Sequence, residues 1–222
     1  MGEQLMPSDV SRVKAQELVK KGWQVTYATL FGQSFVDVLA PHHEDSISWH
    51  WNARIDILEG RDPDYYADFP IFSRGHMKST LARRISVVDA FLSFAYGVGG
   101  YCLYFSGTED KTSKHALSIS QLLQSDAIQQ YAPPLARVKK SEEGGRSLGW
   151  KATFIYTDAG FVFHFGSLQA GLAGGNVDDL RPTLIVPDDI DNRKDSIAET
   201  GTNLKAFTNE ILPMGATGTL TY

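Results

Sequence analysis

The 222-residue chain has a single cysteine, Cys102. No intramolecular disulfide can form, and a reducing, intracellular setting is expected. There is no excess of positive charge either: 21 Lys and Arg stand against 26 Asp and Glu, a net charge of −5. Without a global basic field, contact with nucleic acid must come from local patches or from other copies of the chain. The first residues, MGEQLMPSDVSRVKAQELVKKGW, lack the apolar core of a signal peptide. Internal repeats and low-complexity tracts are missing too. One stretch, 87–104, is apolar enough to test as a membrane span, but Asp89 lies inside it and Gly97, Gly99 and Gly100 interrupt it. It reads instead as the end of a buried helix, a glycine turn and a buried strand.

What is present is an ordinary globular composition, 42% apolar and 21% charged. It suits one α/β domain with a small attached subdomain. Residues 8–40 carry helical spacing at Val10, Val13, Leu18 and Val19, with Ser8 or Asp9 as candidate N-cap, then a cluster from Phe31 to Leu39 that ends before Pro41. Residues 45–58 predict a helix with Ile47, Trp51, Ile55 and Leu58 on one face, closed by Gly60. A turn-rich linker, 60–70, follows.

Beyond it, short strands alternate with helices. Strands are predicted at 70–72, 101–105, 151–156, 161–165, 183–186 and from 217, the third and fourth as a hairpin around Thr157-Asp158-Ala159-Gly160. Helices are predicted at 78–94, 110–124 and 203–211, and Ala132-Pro133-Pro134 stops the segment before them. The alternation predicts a mainly parallel sheet flanked by helices, with an N-terminal helical segment, 1–60, as a lid or subdomain, and a core over 61–222.

Two motifs carry chemistry. SRGHMKST, residues 73–80, follows a short apolar strand and opens a helix. The glycine-framed phosphate loop, G-x-x-x-x-G-K-[ST], is matched at Lys78 and Ser79 only; Phe72 and Met77 occupy the glycine slots, and the one glycine is Gly75. Phosphate binding nevertheless needs backbone N–H groups, a helix N-terminus, a lysine for the β/γ oxygens and a hydroxyl for Mg²⁺. Lys78, Ser79 and Thr80 supply the last three. The second motif, TLIVPDDID (183–191), is an apolar strand ending in carboxylates. In a parallel sheet, strands end at the ligand edge, so Asp188 and Asp189 would face the phosphates. One carboxylate would hold Mg²⁺ and the next would orient the attacking water. An ordinary helix start and an Asp-rich turn would each explain one motif alone; both, in this order, point to a P-loop NTPase.

SRGHMKST followed by RPTLIVPDDID resembles the ATPase domain of the large terminase subunit, the DNA-packaging motor of tailed bacteriophages. The family uses a loop of the form x-R-G-x-x-K-S/T and an R-P-x-strand-Asp-Asp segment, and the resemblance spans about residues 40–222. It implies ATP and Mg²⁺ as cofactors, with Ser73, Arg74, Gly75, His76, Met77, Lys78, Ser79 and Thr80 as the nucleotide loop. Lys78 and Arg74 would act on the γ-phosphate. Ser79 or Thr80, with Asp188, would hold the metal. Asp189 stands where the catalytic glutamate usually sits and is one methylene shorter, which leaves Asp191 as a second candidate. YFSGTEDKTSKHA (104–116) resembles the strand-to-helix segment after the loop. The implied partners are double-stranded DNA, a portal protein, a small terminase subunit and further copies in a ring, with a monomer in isolation and no membrane. The implied location is the host cytoplasm. Arg146 and Arg181 are the candidates for a trans-acting arginine. The family's C-terminal nuclease has no counterpart here, as expected of an ATPase domain cut from a longer protein.

Other candidates are weaker. PHHED (41–45) with His50 has no zinc spacing, and adjacent His42 and His43 are expected to point apart at a polar helix start. Trp49 and Trp51 suit core or adenine-side packing, and Gln33 could read the adenine edge. Cys102, in a buried strand, is a poor nucleophile. Arg83-Arg84, Lys139-Lys140 and Arg193-Lys194 are solvated faces or DNA contacts. A helicase-like ATPase and a phosphate-loop protein that binds without hydrolysis remain the competing functions.

Overall fold

The structure, a computed structural model, describes residues 7–69, 77–139, 150–151, 153–167, 180–190, 196–215 and 218–222. The expected strand at 70–72 lies outside these residues.

Four helices come first: α1 (Pro7–Val19), α2 (Trp23–Phe31), α3 (Gln33–Asp37) and α4 (Pro41–Leu58). α1 begins ahead of the expected caps, so Ser8 and Asp9 lie in its first turn rather than at its N-cap. α4 also starts earlier than periodicity suggested. Pro41 sits at its first position, where proline costs no hydrogen bond, and the Ala40 N–H donates to His43 Nδ1 at 3.1 Å.

The central helix α5 (Lys78–Tyr96) is followed by β1 (Gly100–Ser106), α6 (Glu109–Leu123) and α7 (Asp126–Tyr131). α5 stops where Gly97 adopts φ 73°, a left-handed cap that glycine accepts without a Cβ clash. Then come β2 (Trp150–Lys151), β3 (Phe154–Tyr156), β4 (Phe161–Ser167), β5 (Leu184–Pro187), α8 (Ile197–Ala206) and β6 (Leu220–Thr221). The strands form one sheet in the order β2-β3-β4-β1-β5-β6. β4, β1, β5 and β6 run parallel, as the alternation of strands and helices implied, and β2 and β3 add an antiparallel edge.

Two expectations need correction. The strand expected over 151–156 is two short ones, because Lys151 pairs with Phe154 and the chain reverses between them. The helix expected over 203–211 is α-helical from Ile197 to Ala206, then widens into a π turn over Phe207–Ile211 that aims Phe207 and Ile211 at the sheet.

Period-two alternation sorts β1 onto two faces. Cys102 and Tyr104 join a core with Phe163, Phe165, Leu184 and Val186 under α5 and α6, while Tyr101, Leu103 and Phe105 pack toward Phe207 and Ile211. α1, α2 and α4 share the first core through Leu18, Tyr27 and Trp51. Each fully buried large apolar side chain contributes roughly 1.5–3 kcal/mol, so the paired faces hold β1 and β5 firmly. Cys102 is fully buried, and burial pushes its thiol well up, which removes it as a nucleophile. Asp89, the charge inside the apolar 87–104 run, is also fully buried, with Arg54 Nε at 3.0 Å and His50 Nε2 at 3.3 Å. Among the described residues, no helix is long and apolar enough to cross a membrane.

Candidate active site

The site forms where α5 begins and β5 ends. Ser73, Arg74, Gly75 and His76 lie outside the described residues, as do Asp191 and Arg146; Met77 to Thr80 are described. Met77 caps α5 with φ 54° and ψ 13°. This left-handed conformation costs a non-glycine residue about 1–2 kcal/mol. Met77 holds a conformation that glycine would adopt without this cost.

The start of α5 also differs from its neighbours. Thr108, Ser125 and Ser196 cap α6, α7 and α8 with a side-chain oxygen, and each of those first turns holds an acidic residue. α5 has no side-chain cap and no acid in its first turn, which carries Lys78 instead. A helix N-terminus with no side-chain cap and a lysine in its first turn is suited to an anion.

β5 lies between β1 and β6, fully buried over Leu184, Ile185 and Val186. Its pairing with β1 continues one residue further, the Asp188 N–H donating to Phe105 O at 2.9 Å. This places Asp188 at the end of the sheet with 2% exposure. Its Oδ1 accepts from Ser79 Oγ at 3.1 Å, a contact between residues 109 positions apart. Its Oδ2 accepts from Tyr104 Oη at 2.7 Å and lies 3.5 Å from His115 Nε2. Burial, and then the adjacent carboxylate, push the Tyr104 phenol well above its ordinary range, so it stays a donor. Burial lowers the His115 imidazole even though Asp188 acts in the opposite direction, so the ring is neutral at pH 7.

Of the two hydroxyls expected at the helix start, Ser79 is therefore the one that meets the carboxylate. Thr80 Oγ1 instead accepts from Arg83 Nη2 at 3.1 Å. Ser79 Oγ and Asp188 Oδ1 form a pair of oxygens at a helix N-terminus, a donor set that fits a hard divalent cation bound together with phosphate.

Asp189 behaves differently. Its side chain is 56% exposed and pairs with Lys111 Nζ at 3.0 Å. Its φ is 57°, and Asp189 and Met77 are the two non-glycine residues with positive φ among those described. Backbone strain of this kind costs of order 1–3 kcal/mol and clusters at working sites. The turn is held by Gly107, whose N–H donates to Asp189 O at 3.2 Å. A Cβ on Gly107 would meet Ile190 O at 2.8 Å, so only glycine permits this approach.

Lys78, Asp188 and Asp189 line one cavity of about 390 Å³, whose remaining wall includes Phe69, Ile190, Leu204 and Phe207. The lining thus combines charged groups from both motifs with apolar side chains. Beyond Asp188, β6 pairs with β5, and Ala67, just ahead of the loop, bridges Thr221 in parallel. The sheet thus continues toward the chain segment that leads into the loop.

The weaker candidates settle elsewhere. Gln33 donates its amide to Asp37 on its own helix at 2.8 Å. Trp51 is core, and Trp49 stacks between Tyr65 and Tyr222 with centroids 5.8 and 6.4 Å away. The His42 and His43 rings do not point apart: their centroids are 4.1 Å from each other, because His43 turns back to accept the Ala40 N–H. Arg84 stacks on Phe35 at 4.1 Å, and Lys139 lies over Tyr156 at 4.4 Å, so each has an aromatic partner rather than a free face. Arg181 is exposed. Lys140, Arg193 and Lys194 lie outside the described residues.

The chain matches no family model, no curated protein and no solved structure. The site therefore rests on its own geometry. Sequence reading passed over Tyr104, Gly107, Lys111 and His115 as site residues, although 104–116 contains all four. A signal was there: Lys111 and His115 are four residues apart on one helix face, and Tyr104 is a polar-tipped residue near the ligand end of an apolar strand.

Proposed function

We propose that the chain is a Mg²⁺-dependent ATPase, the motor domain of a terminase large subunit that hydrolyses ATP to move double-stranded DNA into a procapsid. The observation that carries the reading is the 3.1 Å contact of Ser79 Oγ with Asp188 Oδ1, which joins the two motifs at the end of a largely parallel sheet. The uncapped start of α5 and the left-handed Met77 support it further.

In this reading the N–H groups at the start of α5 and the Lys78 ammonium hold the phosphates, with Arg74 adding charge at the γ-phosphate. Ser79 and Asp188 would hold Mg²⁺, which when bound neutralises charge on the β- and γ-phosphate oxygens. Asp189 orients the attacking water in line with the scissile bond and accepts its proton. For that its carboxylate must leave Lys111. Double-stranded DNA, a portal protein, a small terminase subunit and a ring of identical copies are the partners this function requires.

The Lys111–Asp189 pair favours a second reading, nucleotide binding without turnover, because it engages the carboxylate that hydrolysis needs. A helicase-like ATPase is the third. Phosphate release from ATP by the purified chain, with and without Mg²⁺, separates turnover from binding. Stimulation by procapsid or portal rather than by nucleic acid alone separates a packaging motor from a helicase. Failure to bind Mg²⁺-nucleotide at all would remove the proposal.

A further inference from the structure

Asp188 presents its two oxygens unequally. Oδ1 faces Ser79 at the start of α5, while Oδ2 is turned into the protein, where Tyr104 Oη donates to it at 2.7 Å and His115 Nε2 lies at 3.5 Å. Tyr104 is fully buried on β1, and its ring packs against His115 on α6 at 5.0 Å and against Phe165 on β4 at 6.1 Å. The phenol, on β1, is thus held by α6 and β4, and the hydrogen bond at its tip fixes the rotation of the Asp188 carboxylate.

We propose that Tyr104, backed by His115, is a positioning residue that restricts Asp188 to offering one oxygen, and so sets the site's preference for Mg²⁺ over Ca²⁺. The inference rests on the reading of Ser79 and Asp188 as metal ligands. Mg²⁺ demands near-octahedral geometry, keeps several waters and takes one oxygen from a carboxylate alongside substrate phosphate. Ca²⁺ is larger, takes 6–8 oxygens and readily accepts both oxygens of one carboxylate. A carboxylate with Oδ2 held by a phenol meets the first demand and withholds the second oxygen from Ca²⁺. Partners that orient a metal ligand in this way typically change metal affinity by about 10–100-fold when removed.

The test is Tyr104→Phe, which deletes the donor and keeps the ring. Binding of a fluorescent ATP analogue to the full chain is titrated with Mg²⁺ and with Ca²⁺, and thermal stability is recorded without metal. In the variant, Mg²⁺-dependent affinity is expected to fall about tenfold. Ca²⁺-dependent affinity should hold or rise, so that the Mg²⁺/Ca²⁺ ratio drops. A merely structural role would weaken both ions alike, and that result overturns the inference. Unchanged affinity for Mg²⁺ overturns it as well. Should Tyr104→Phe not fold, His115→Ala, beside the same carboxylate oxygen, must lower the ratio in the same direction, and an unchanged ratio overturns the inference. If the unsubstituted chain binds nucleotide with no dependence on either ion, the metal-ligand reading of Asp188 fails first, and this inference with it. Metal-dependent binding in the unsubstituted chain with an unaltered ratio in the variants removes the inference alone.

Discussion

Ser79 Oγ donates to Asp188 Oδ1 across 3.1 Å, so the first turn of α5 and the end of β5 are joined by the two oxygens a divalent cation would use. The neighbouring carboxylate, Asp189, is turned away by its left-handed backbone and paired with Lys111 at 3.0 Å. The two adjacent carboxylates therefore have different surroundings and should fail differently when removed.

Asp188→Ala is expected to weaken Mg²⁺-nucleotide binding, and also to destabilise the fold by about 1–3 kcal/mol, because the buried Tyr104 hydroxyl loses its acceptor. Asp189→Ala should spare binding and lose hydrolysis, since orienting water matters only on the way to the transition state. Nucleotide titration and phosphate release on the same samples read the two effects. Normal hydrolysis in Asp189→Ala combined with loss in Asp191→Ala would shift the water-orienting role by two residues.

Lys78→Ala should abolish ATP turnover and leave stability within about 0.5 kcal/mol of the unsubstituted chain, as for a side chain outside the packed core. Turnover assays alongside thermal melts decide it. A variant that hydrolyses ATP at the original rate would remove the phosphate-loop assignment.

Gly107→Ala should be disproportionately costly for a single methyl group. Its Cβ would stand 2.8 Å from Ile190 O, so the 188–190 turn must move away. Loss of roughly 1–3 kcal/mol of stability is expected, as for other strained backbone positions, together with reduced turnover, measured by urea unfolding and by phosphate release. A neutral result in both would mean that the turn is free to shift.

Stability should fall on mild acidification. Burial lowers the imidazoles of His115 and His164 from the ordinary value of 6.5. Above that value the rings are neutral in both folded and unfolded chains and add no pH dependence. Below it the unfolded chain takes up protons that the folded chain refuses, so stability is lost as pH drops through 6.5 toward the folded values. His164 Nδ1 and Tyr101 Oη share a hydrogen bond at 2.9 Å. Urea midpoints between pH 7.5 and 5.5 should decline by these assignments, and His164→Gln should flatten the decline.

A ring motor completes its site with an arginine from a neighbouring copy, which raises hydrolysis by about 10³ or more. Under the proposed function, the chain alone, with a net charge of −5, is expected to be largely monomeric, with ATP turnover that is slow but rises with protein concentration. Light scattering with turnover over a concentration series measures both. High activity that is flat with concentration in a monomer would mean that one chain holds a complete site.

The sequence by itself marked most of the elements and where their polar and charged residues fall along them. Helical spacing marked the face of α4 through Trp51, and alternation with glycine turns marked β1 and the hairpin of β3 and β4, because these patterns are local. Lys78, Ser79 and Asp188 were legible for the same reason: one opens a helix, one follows it, and one ends a strand. Where local pattern and packing competed, the pattern misled. The π turn at Phe207 is set by the face of the sheet it packs against. Only the tertiary structure decided that Ser79 rather than Thr80 meets Asp188, that Tyr104 holds its other oxygen, and that Lys111 holds Asp189. Those contacts join residues 109, 84 and 78 positions apart. No local periodicity carries such pairings, because they exist only once β5 is laid beside β1 and both faces of the sheet are buried.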